Sequence, residues 1–332
     1  MTPEIEPVEA GEAEARADAL QLLVASRKEV AQGIWLYELR SLHGDELPPF
    51  EPGAHLLVRT PAGLLRRYSI CSSTSDRSCY QIGVKHEPGG GGGSTSMVED
   101  LREGDILPMS LPVNYFPPDP TAGLSLLIAG GIGITPILSM ARHLREQGAP
   151  FRLVYCARSA EAAAFVDVLA APDLADRTVI HYDDGDPARA LDLGAHLAEH
   201  PPGAHLYCCG PRALMQGVRE AAKHWPPGTV HFEDFGTSAH PGTVGESRFR
   251  VRLARSGEVL TVEPDESILA ALRRHGVEVP FSCEAGTCGS CRTGLLAGVA
   301  EHRDFVLQDD EHDSAIMICV SRALSEELTL DV

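Results

Sequence analysis

The sequence predicts a multidomain chain: an antiparallel β-barrel, then an α/β domain with a parallel sheet, then a smaller α+β domain. Three observations lead there. Residues 20–118 carry short strand-like runs separated by Pro and Gly clusters, with little helical periodicity. Residues 119–236 switch to alternating strand and helix patterns, the mark of a parallel sheet covered on both faces. After a small, polar Pro/Gly-bearing linker, 237–246, residues 247–332 open on a hairpin pattern and hold a cysteine-rich loop.

Residues 1–19 are rich in Glu, Ala and Pro and poor in large apolar residues, which predicts a disordered acidic tail. In the first domain, Leu20–Ala25, Ile34–Leu39, His55–Thr60, Arg67–Cys71 and Tyr80–Lys85 have strand character. In the second, the predicted strands are Ser125–Ala129, Phe151–Cys156, Thr178–Tyr182, His205–Cys208 and Val230–Phe232. The helices expected between them are Pro136–Glu146, Ala162–Leu169, Leu193–Glu199 and Ala213–His224. The third domain should contain strands Phe249–Ala254 and Val259–Val262 and a helix Ser267–His275, capped by Asp265 or Ser267 and stopped by Gly276. Closing strands at Ala315–Val320 and Glu327–Val332 complete it.

Composition narrows the function classes. At 332 residues the chain is long enough for two or three buried cores. Its formal net charge of −19 argues against nucleic acid and anionic membranes as partners and suits docking onto a basic protein. No run of eighteen apolar residues exists, and the acidic N-terminus lacks the basic start and apolar core of a secretory signal. Nine cysteines without such a signal point to a reducing, cytoplasmic compartment, where clustered thiols bind metal.

The metal ligands stand out. Cys283, Cys288 and Cys291 have C-x4-C-x2-C spacing, and Cys319 lies on a later apolar segment. That is the plant-type [2Fe-2S] spacing. Small residues between the ligands, Gly286, Gly289 and Ser290, let the backbone close around a cluster and aim N–H groups at sulfur. A structural zinc site held by four cysteines is the competing reading, although such sites usually pair two C-x2-C knuckles and only one is present.

Four further stretches carry possible chemistry. Gly130-Gly-Ile-Gly-Ile-Thr-Pro136 follows a buried strand and opens a helix, as an anion-binding turn does, with Thr135 fitting the N-cap and Pro136 the first helical position. It is not the G-x-G-x-x-G fingerprint, and a turn that binds nothing is the bland alternative. Cys208-Cys209-Gly210-Pro211 ends another strand, where open α/β sheets bind ligands; two small buried hydrophobes would look the same. Arg66-Arg67-Tyr68-Ser69 offers a forked cation, a flat ring and a hydroxyl, or simply an exposed basic pair beside a half-buried tyrosine. The glycine run Gly89–Gly93 leads into Ser94-Thr95-Ser96, and Ser96 with Glu99 fits a capping box. The histidines, His55 and His205 among them, show no metal-ligand spacing and read as surface or satisfied core residues, and no Ser–His–Asp set is evident.

Together these stretches resemble, in order and over residues 20–332, the phthalate dioxygenase reductase family, single-chain reductases serving Rieske-type aromatic oxygenases. The resemblance implies an FMN-binding barrel, an NAD-binding domain and a β-grasp plant-type ferredoxin domain. It implies that Arg66, with Arg67 beside it, holds the flavin phosphate, that Tyr68 packs on the isoalloxazine, and that Ser69 lies near its N5. Gly83, Val84 and Lys85 would line the flavin. Gly92, Gly93, Ser94, Thr95 and Ser96 would form the phosphate loop. Thr135 would touch the flavin, and Gly131, Gly133 and Pro136 would form the pyrophosphate turn. Cys209 and Gly210 would border the nicotinamide, and Phe235 would sit near the flavin ring. Ser69, Thr135 and Cys209 are thus the residues expected nearest the reacting atoms. NADH is the implied donor; the second strand ends in Arg158-Ser159, without the acidic residue that some relatives carry next to the arginine, so NADPH stays open. The implied activity is NADH-dependent oxidoreduction by a monomer that passes single electrons to an oxygenase or O-demethylase. A cytochrome or diiron oxygenase partner, or a redox-sensing flavoprotein, is the alternative.

Overall fold

A computed structural model describes residues 18–235 and 247–332, so most of the predicted tail and all of the predicted linker lie outside the described residues. The described chain forms two compact units that part between Glu233 and Asp234.

The first unit begins with six antiparallel strands: β1 (Leu20–Ala31), β2 (Ile34–Ser41), β3 (His55–Arg59), β4 (Leu65–Ser69), β5 (Tyr80–Lys85) and β6 (Ile106–Met109). Their order is β4-β3-β6-β1-β2-β5. An antiparallel bridge between Ile70 and Ile82, continued by Cys71 N–H to the Gln81 carbonyl at 2.8 Å, joins the two edges and closes the barrel. Closure leaves no free edge. Its interior is filled by Val24, Tyr37, Leu39, Leu56, Val58, Tyr80, Ile82, Val84, Leu107 and Met109. A seven-residue helix α1 (Gly93–Glu99) adds Met97 to that core. Strand β6 is not evident in the sequence because Pro108 interrupts a four-residue run, and Pro disfavours a strand reading. Strand β1 runs six residues past the predicted end, because two register shifts let its charged second half stay paired with β2.

A second sheet follows, all parallel: β7 (Leu124–Gly130), β8 (Phe151–Ala157), β9 (Thr178–Tyr182), β10 (Ala204–Cys209) and β11 (Val230–Glu233), ordered β11-β10-β7-β8-β9. The chain runs outward from β7 in one direction through β8 and β9 and in the other through β10 and β11. The switch point therefore lies between β7 and β10, where such sheets bind ligands at the strands' carboxyl ends. Helices α2 (Ile134–Glu146), α3 (Val166–Leu169), α4 (Leu193–Leu197) and α5 (Arg212–Ala221) connect the strands. The predicted helix Ala162–Leu169 is only its last turn, because Phe165 takes a left-handed backbone (φ 63°) just ahead of it. Helix α2 starts two residues earlier than predicted. A 3₁₀ turn, Gly131–Gly133, feeds directly into it, so Thr135 is not the N-cap and Pro136 is not the first helical residue. Gly133 occupies the cap, and Pro136 is tolerated because its missing N–H falls in the unbonded first turn.

The second unit is a five-stranded mixed sheet in the order β13-β12-β18-β14-β16, from β12 (Phe249–Leu253), β13 (Val259–Val262), β14 (Arg292–Ala297), β16 (Ala315–Met317) and β18 (Glu327–Leu330). A small ribbon pairs β15 (Ala300–Glu301) with β17 (Arg322–Ala323). First and last strands, β12 and β18, run parallel side by side, and α6 (Ile268–Arg274) packs its Ile268, Leu269, Ala271 and Leu272 into the core. This is the β-grasp arrangement. Ser267 caps α6 by accepting from Ala270 N–H at 3.1 Å, and Gly276 (φ 74°) ends it. The closing strand predicted at Ala315–Val320 stops at Met317, and the chain then bends to carry Cys319 toward the cysteine loop.

Candidate functional site

The first unit brings three of the predicted stretches together at one seam. Gly83 lies on the outer face of β5. A Cβ built there would meet Thr135 Cγ2 at 2.7 Å and Ile132 Cδ1 at 3.3 Å. The barrel and the β7 turn are thus in direct contact at this position, which only glycine fits. Thr135 is buried, and its hydroxyl donates to the Ile132 carbonyl at 3.0 Å, so its methyl is what faces Gly83. At the switch point, a Cβ on Gly133 would fall on the Cys209 carbonyl and within 2.8 Å of Gly210 N. The β7 and β10 turns therefore interlock backbone to backbone. Gly131 takes φ 53° beside open space.

Ser69 ends β4, and its hydroxyl is buried with no hydrogen-bond partner among the described residues. Buried polar groups are normally paired, so an orphaned hydroxyl beside the seam marks a place for a polar ligand atom. Arg66, two positions before Tyr68 on the same strand, folds over the glycine loop. Its Nη2 reaches the Gly91 carbonyl at 3.4 Å, and a Cβ on Gly93 would touch its Nε at 2.8 Å. The first intrahelical bond of α1 is Ser96 N–H to Gly92 O at 3.0 Å, which leaves the N–H groups of Gly93, Ser94 and Thr95 ahead of it. The capping box predicted from Ser96 and Glu99 does not form. Ser96 lies inside the helix and donates to the Gly93 carbonyl at 3.0 Å. Ser94 accepts from Glu87 N–H at 3.1 Å and so shapes the loop, while the Thr95 hydroxyl makes no bond among the described residues.

Other predicted residues are placed differently. Val84 is wholly in the barrel core, so only its backbone can face a ligand. Lys85 is exposed and paired with Glu87. Tyr68 is partly buried against the barrel core, and burial pushes its phenol well above the usual range. Cys209 sits at the switch point as expected, with its thiol fully buried. Cys208 is a core hydrophobe whose thiol burial pushes well up. Arg158 is exposed just past the end of β8 and makes no ion pair among the described residues. Arg67 is exposed on β4. Phe235 is 38 % exposed and falls with the second unit, so its place at the flavin rests on the motif alone.

Sequence reasoning passed over three residues here. His55 is neither on the surface nor satisfied: it is 5 % exposed, its Nδ1 has no partner among the described residues, and it lies directly across from Ser69 in the β3–β4 register. Burial first and the nearby Arg67 charge second pull its imidazole down to about 3. Tyr37 and Arg27 hold the far end of α1. Tyr37 Oη donates to the Met97 carbonyl at 2.7 Å, and Arg27 donates to the carbonyls of Val98, at 2.7 Å, and Leu101. A lone aromatic and a lone arginine on β-strands give no signal for that task, since both partners are backbone atoms about 60–75 residues away.

In the second unit, Cys283, Cys288 and Cys291 share one loop in which Glu284, Gly286 and Gly289 all take positive φ. Ala285 N–H points at Cys283 Sγ (3.4 Å), as does the Thr287 hydroxyl (3.6 Å), and Cys283 N–H points at Cys288 Sγ (3.4 Å). The sulfurs interact as two pairs, Cys283 with Cys288 and Cys291 with Cys319. Cys283 is held well below the usual thiol range by the hydrogen bond from Cys288 and the N–H groups of Ala285 and Thr287. Cys291 is lowered likewise by Cys319. Cys288 and Cys319 are pushed up by the hydrogen bonds they give and by burial. Two thiol pairs with inward N–H groups suit a cluster that spreads four thiolates over two irons. The donor set fits [2Fe-2S], and the Ser69, Arg66 and Gly83 surroundings fit a phosphorylated ring cofactor.

A closed barrel abutting a nucleotide-type switch point, joined in one chain to a four-cysteine β-grasp domain, defines a pyridine-nucleotide-dependent flavin and iron–sulfur oxidoreductase. Comparison with known proteins agrees. Residues 127–220 match the oxidoreductase NAD-binding domain family, and residues 251–324 match the 2Fe-2S iron-sulfur cluster binding domain family. Phthalate dioxygenase reductase of Burkholderia cepacia is 49 % identical over 94 % of this chain and 97 % of its own length. Vanillate O-demethylase oxidoreductase of a Pseudomonas species is 40 % identical over 94 % of this chain and 100 % of its own length. A solved phthalate dioxygenase reductase, described as a modular structure for electron transfer from pyridine nucleotides to [2Fe-2S], superposes with TM-score 0.69 over 94 % of this chain and 98 % of that one. The chain belongs to the phthalate dioxygenase reductase family.

Proposed function

We propose that this chain is the reductase component of a Rieske-type aromatic oxygenase or O-demethylase system, taking electrons from NADH at FMN and delivering them singly through [2Fe-2S]. The observation that carries this is the abutment of Gly83 on Thr135, which brings the barrel's ligand face against the nucleotide turn. When bound, FMN accepts a two-electron hydride and releases electrons one at a time to a one-electron [2Fe-2S] carrier, which links a nicotinamide to an oxygenase.

The chain's own residues position and tune these groups. Arg66 meets the FMN phosphate with its forked guanidinium, supported by the backbone of Gly92, Gly93 and Ser94 and the unbonded Thr95 hydroxyl. Ser96 and Ser94 act on the loop's shape rather than on the phosphate. Tyr68 offers its ring face to the isoalloxazine, and Ser69 supplies its orphaned hydroxyl to a ring nitrogen. Gly83 and the Val84 and Lys85 backbone form the edge beside the ring. Gly131, Gly133 and Pro136 shape the pyrophosphate turn, Cys209 and Gly210 border the nicotinamide, and Arg158 lies toward the adenosine end. Hydrogen bonds aimed at Cys283 and Cys288 tune the cluster.

Domain limits at 118/119 and 246/247 belong to the same reading, supported by the change of sheet between β6 and β7 and by β12 opening a new one. A cytoplasmic location and a monomeric state are also proposed. None of the nine cysteines forms a disulfide, which leaves the four ligands open to a cluster, and no helix among the described residues is long and apolar enough to cross a membrane.

Anaerobic titration of the purified protein with NADH, and separately NADPH, tests the reading. Bleaching of a flavin band by NADH at lower concentration than by NADPH, with a reduced [2Fe-2S] signal by EPR, is expected. Protein that neither bleaches nor gives the signal would overturn it.

A further inference from the structure

The segment between β15 and the 3₁₀ turn at Asp309–Glu311 touches both halves of the cysteine site. On one side, Phe305 N–H donates to the Gly286 carbonyl at 2.9 Å, and a Cβ on Gly286 would lie 2.6 Å from Val320 Cγ2, next to Cys319, 3.1 Å from Asp304 Cα and 3.2 Å from Asp304 Cβ. Gly286 is the third of the four residues between Cys283 and Cys288. One turn further, Val306 Cγ1 stands 3.5 Å from where a Cβ of Gly289 would be, between Cys288 and Cys291. On the other side, Arg303 N–H donates to Ser321 Oγ at 3.3 Å, two residues past Cys319. The segment 303–306 thus ties the three-cysteine loop to the strand end that brings the fourth.

Asp304 fixes the shape of that tie. It is 2 % exposed, and its Oδ1 accepts from Val306 N–H at 2.9 Å and Leu307 N–H at 2.8 Å. One carboxylate oxygen therefore closes the turn that lies against Gly286 and Gly289. Its Oδ2 is 3.9 Å from His302 Nδ1, and the His302 ring stacks on His312 with centroids 4.0 Å apart, while its Nε2 lies 3.1 Å from the His312 carbonyl. Val306 and Leu307 then anchor the turn in the core. A buried carboxylate accepting two backbone N–H groups is a strong local clasp, and losing it removes both charge-assisted bonds at once.

We propose that Asp304 is a positioning residue for the iron–sulfur cluster, holding the Cys283–Cys291 loop in register with Cys319 through the 304–307 turn. The inference rests on the [2Fe-2S] reading and adds a residue outside the cysteine motif to it. Asp304 acts through Gly286, which its Cα and Cβ flank.

The test uses the full holoprotein with FMN bound. Asp304→Ala removes the clasp, Asp304→Asn keeps an Oδ1 acceptor for both N–H groups, and Ser321→Ala releases the other end of the tie. Visible circular dichroism of the oxidised cluster, EPR g-values after dithionite reduction, and the rate of iron capture by a ferrous chelator are measured, with flavin absorbance as an internal reference. Asp304→Ala should release iron about tenfold faster than the parent, as expected for a charged hydrogen bond lost, with altered dichroism and g-values. Asp304→Asn should restore most of both, Ser321→Ala should move the same readouts less far, and flavin content should be unchanged in all three. Parent-like spectra and iron release in both Asp304→Ala and Ser321→Ala would overturn the proposal while leaving the cluster assignment intact. So would an Asp304→Asn variant as defective as the alanine. A parent protein without a cluster spectrum would remove the [2Fe-2S] reading and this one with it.

Discussion

Gly83→Ala is the substitution that tests the seam most directly. Gly83 has no positive φ, so alanine meets no backbone strain there; the effect is steric alone. The added methyl would lie 2.7 Å from Thr135 Cγ2, where ordinary contact begins near 3.4 Å and relaxes toward 4 Å. Barrel and nucleotide turn must separate by about 1 Å, and a 1 Å misplacement of reacting groups costs on the order of 100-fold in rate. The stability cost of such overpacking is about 1–3 kcal/mol, small enough for a folded protein to survive. Stopped-flow reduction of the bound flavin by NADH under anaerobic conditions reads the effect. Rates are compared per bound flavin, because Gly83 also lies on the edge beside the ring and any loss of flavin must be separated from slowed reduction. Thr135→Ser removes the methyl in the way, so the double variant should recover most of the lost rate. Unchanged flavin reduction in Gly83→Ala, or a double variant no faster than the single one, would refute the steric account.

Three more outcomes follow from the same geometry. Arg66→Met should weaken FMN binding by roughly 10- to 100-fold, a charge-assisted bond of about 1.5–3 kcal/mol, and leave riboflavin affinity, which involves no phosphate, unchanged by fluorescence titration. Cys319→Ser should abolish the [2Fe-2S] EPR signal while NADH still bleaches the flavin at the parent rate. Acid stability should show His55. Its folded-state value of about 3 lies below the ordinary 6.5, so the unfolded chain binds the extra proton between those values. The stabilisation is complete above pH 6.5 and is lost as pH falls toward 3, up to about 5 kcal/mol. His55→Gln should flatten that part of the unfolding-versus-pH curve measured by chemical denaturation.

The parts of the site legible in the sequence are those written locally. Three cysteines at fixed spacing declare their chemistry within ten residues or so, whereas the glycine turn and the Arg-x-Tyr-Ser strand gain a meaning only when the family resemblance sets them in order. What stayed hidden depends on partners distant in the chain. Asp304 looks like one more acidic residue until its N–H partners and Gly286 are seen. His55 looks like an ordinary strand residue until the β3–β4 register sets it opposite Ser69. Thr135 reads as a helix cap because Thr before Pro usually is one. The 3₁₀ turn at Gly131–Gly133 takes up that function and frees the threonine methyl to meet the barrel.

Glycines mark where the tertiary structure carries function. Three of them sit where a single methyl would collide with the next functional part: Gly83 with Thr135, Gly133 with the Cys209 backbone and Gly286 with Asp304 and Val320. The first is where the flavin-binding barrel meets the nucleotide turn, the second interlocks the two nucleotide turns, and the third fits the cluster loop to its clasp. By contrast, Gly33, Gly44 and Gly63 adopt positive φ in turns with open space around them. Sequence alone cannot separate the two kinds, since a glycine's letter says nothing of what packs against its Cα. The distinction predicts opposite behaviour: alanine at the open turns costs about the backbone penalty of 1–2 kcal/mol for a left-handed residue and leaves cofactor spectra alone. Alanine at the three contact positions alters a cofactor or nucleotide readout even where the protein still folds.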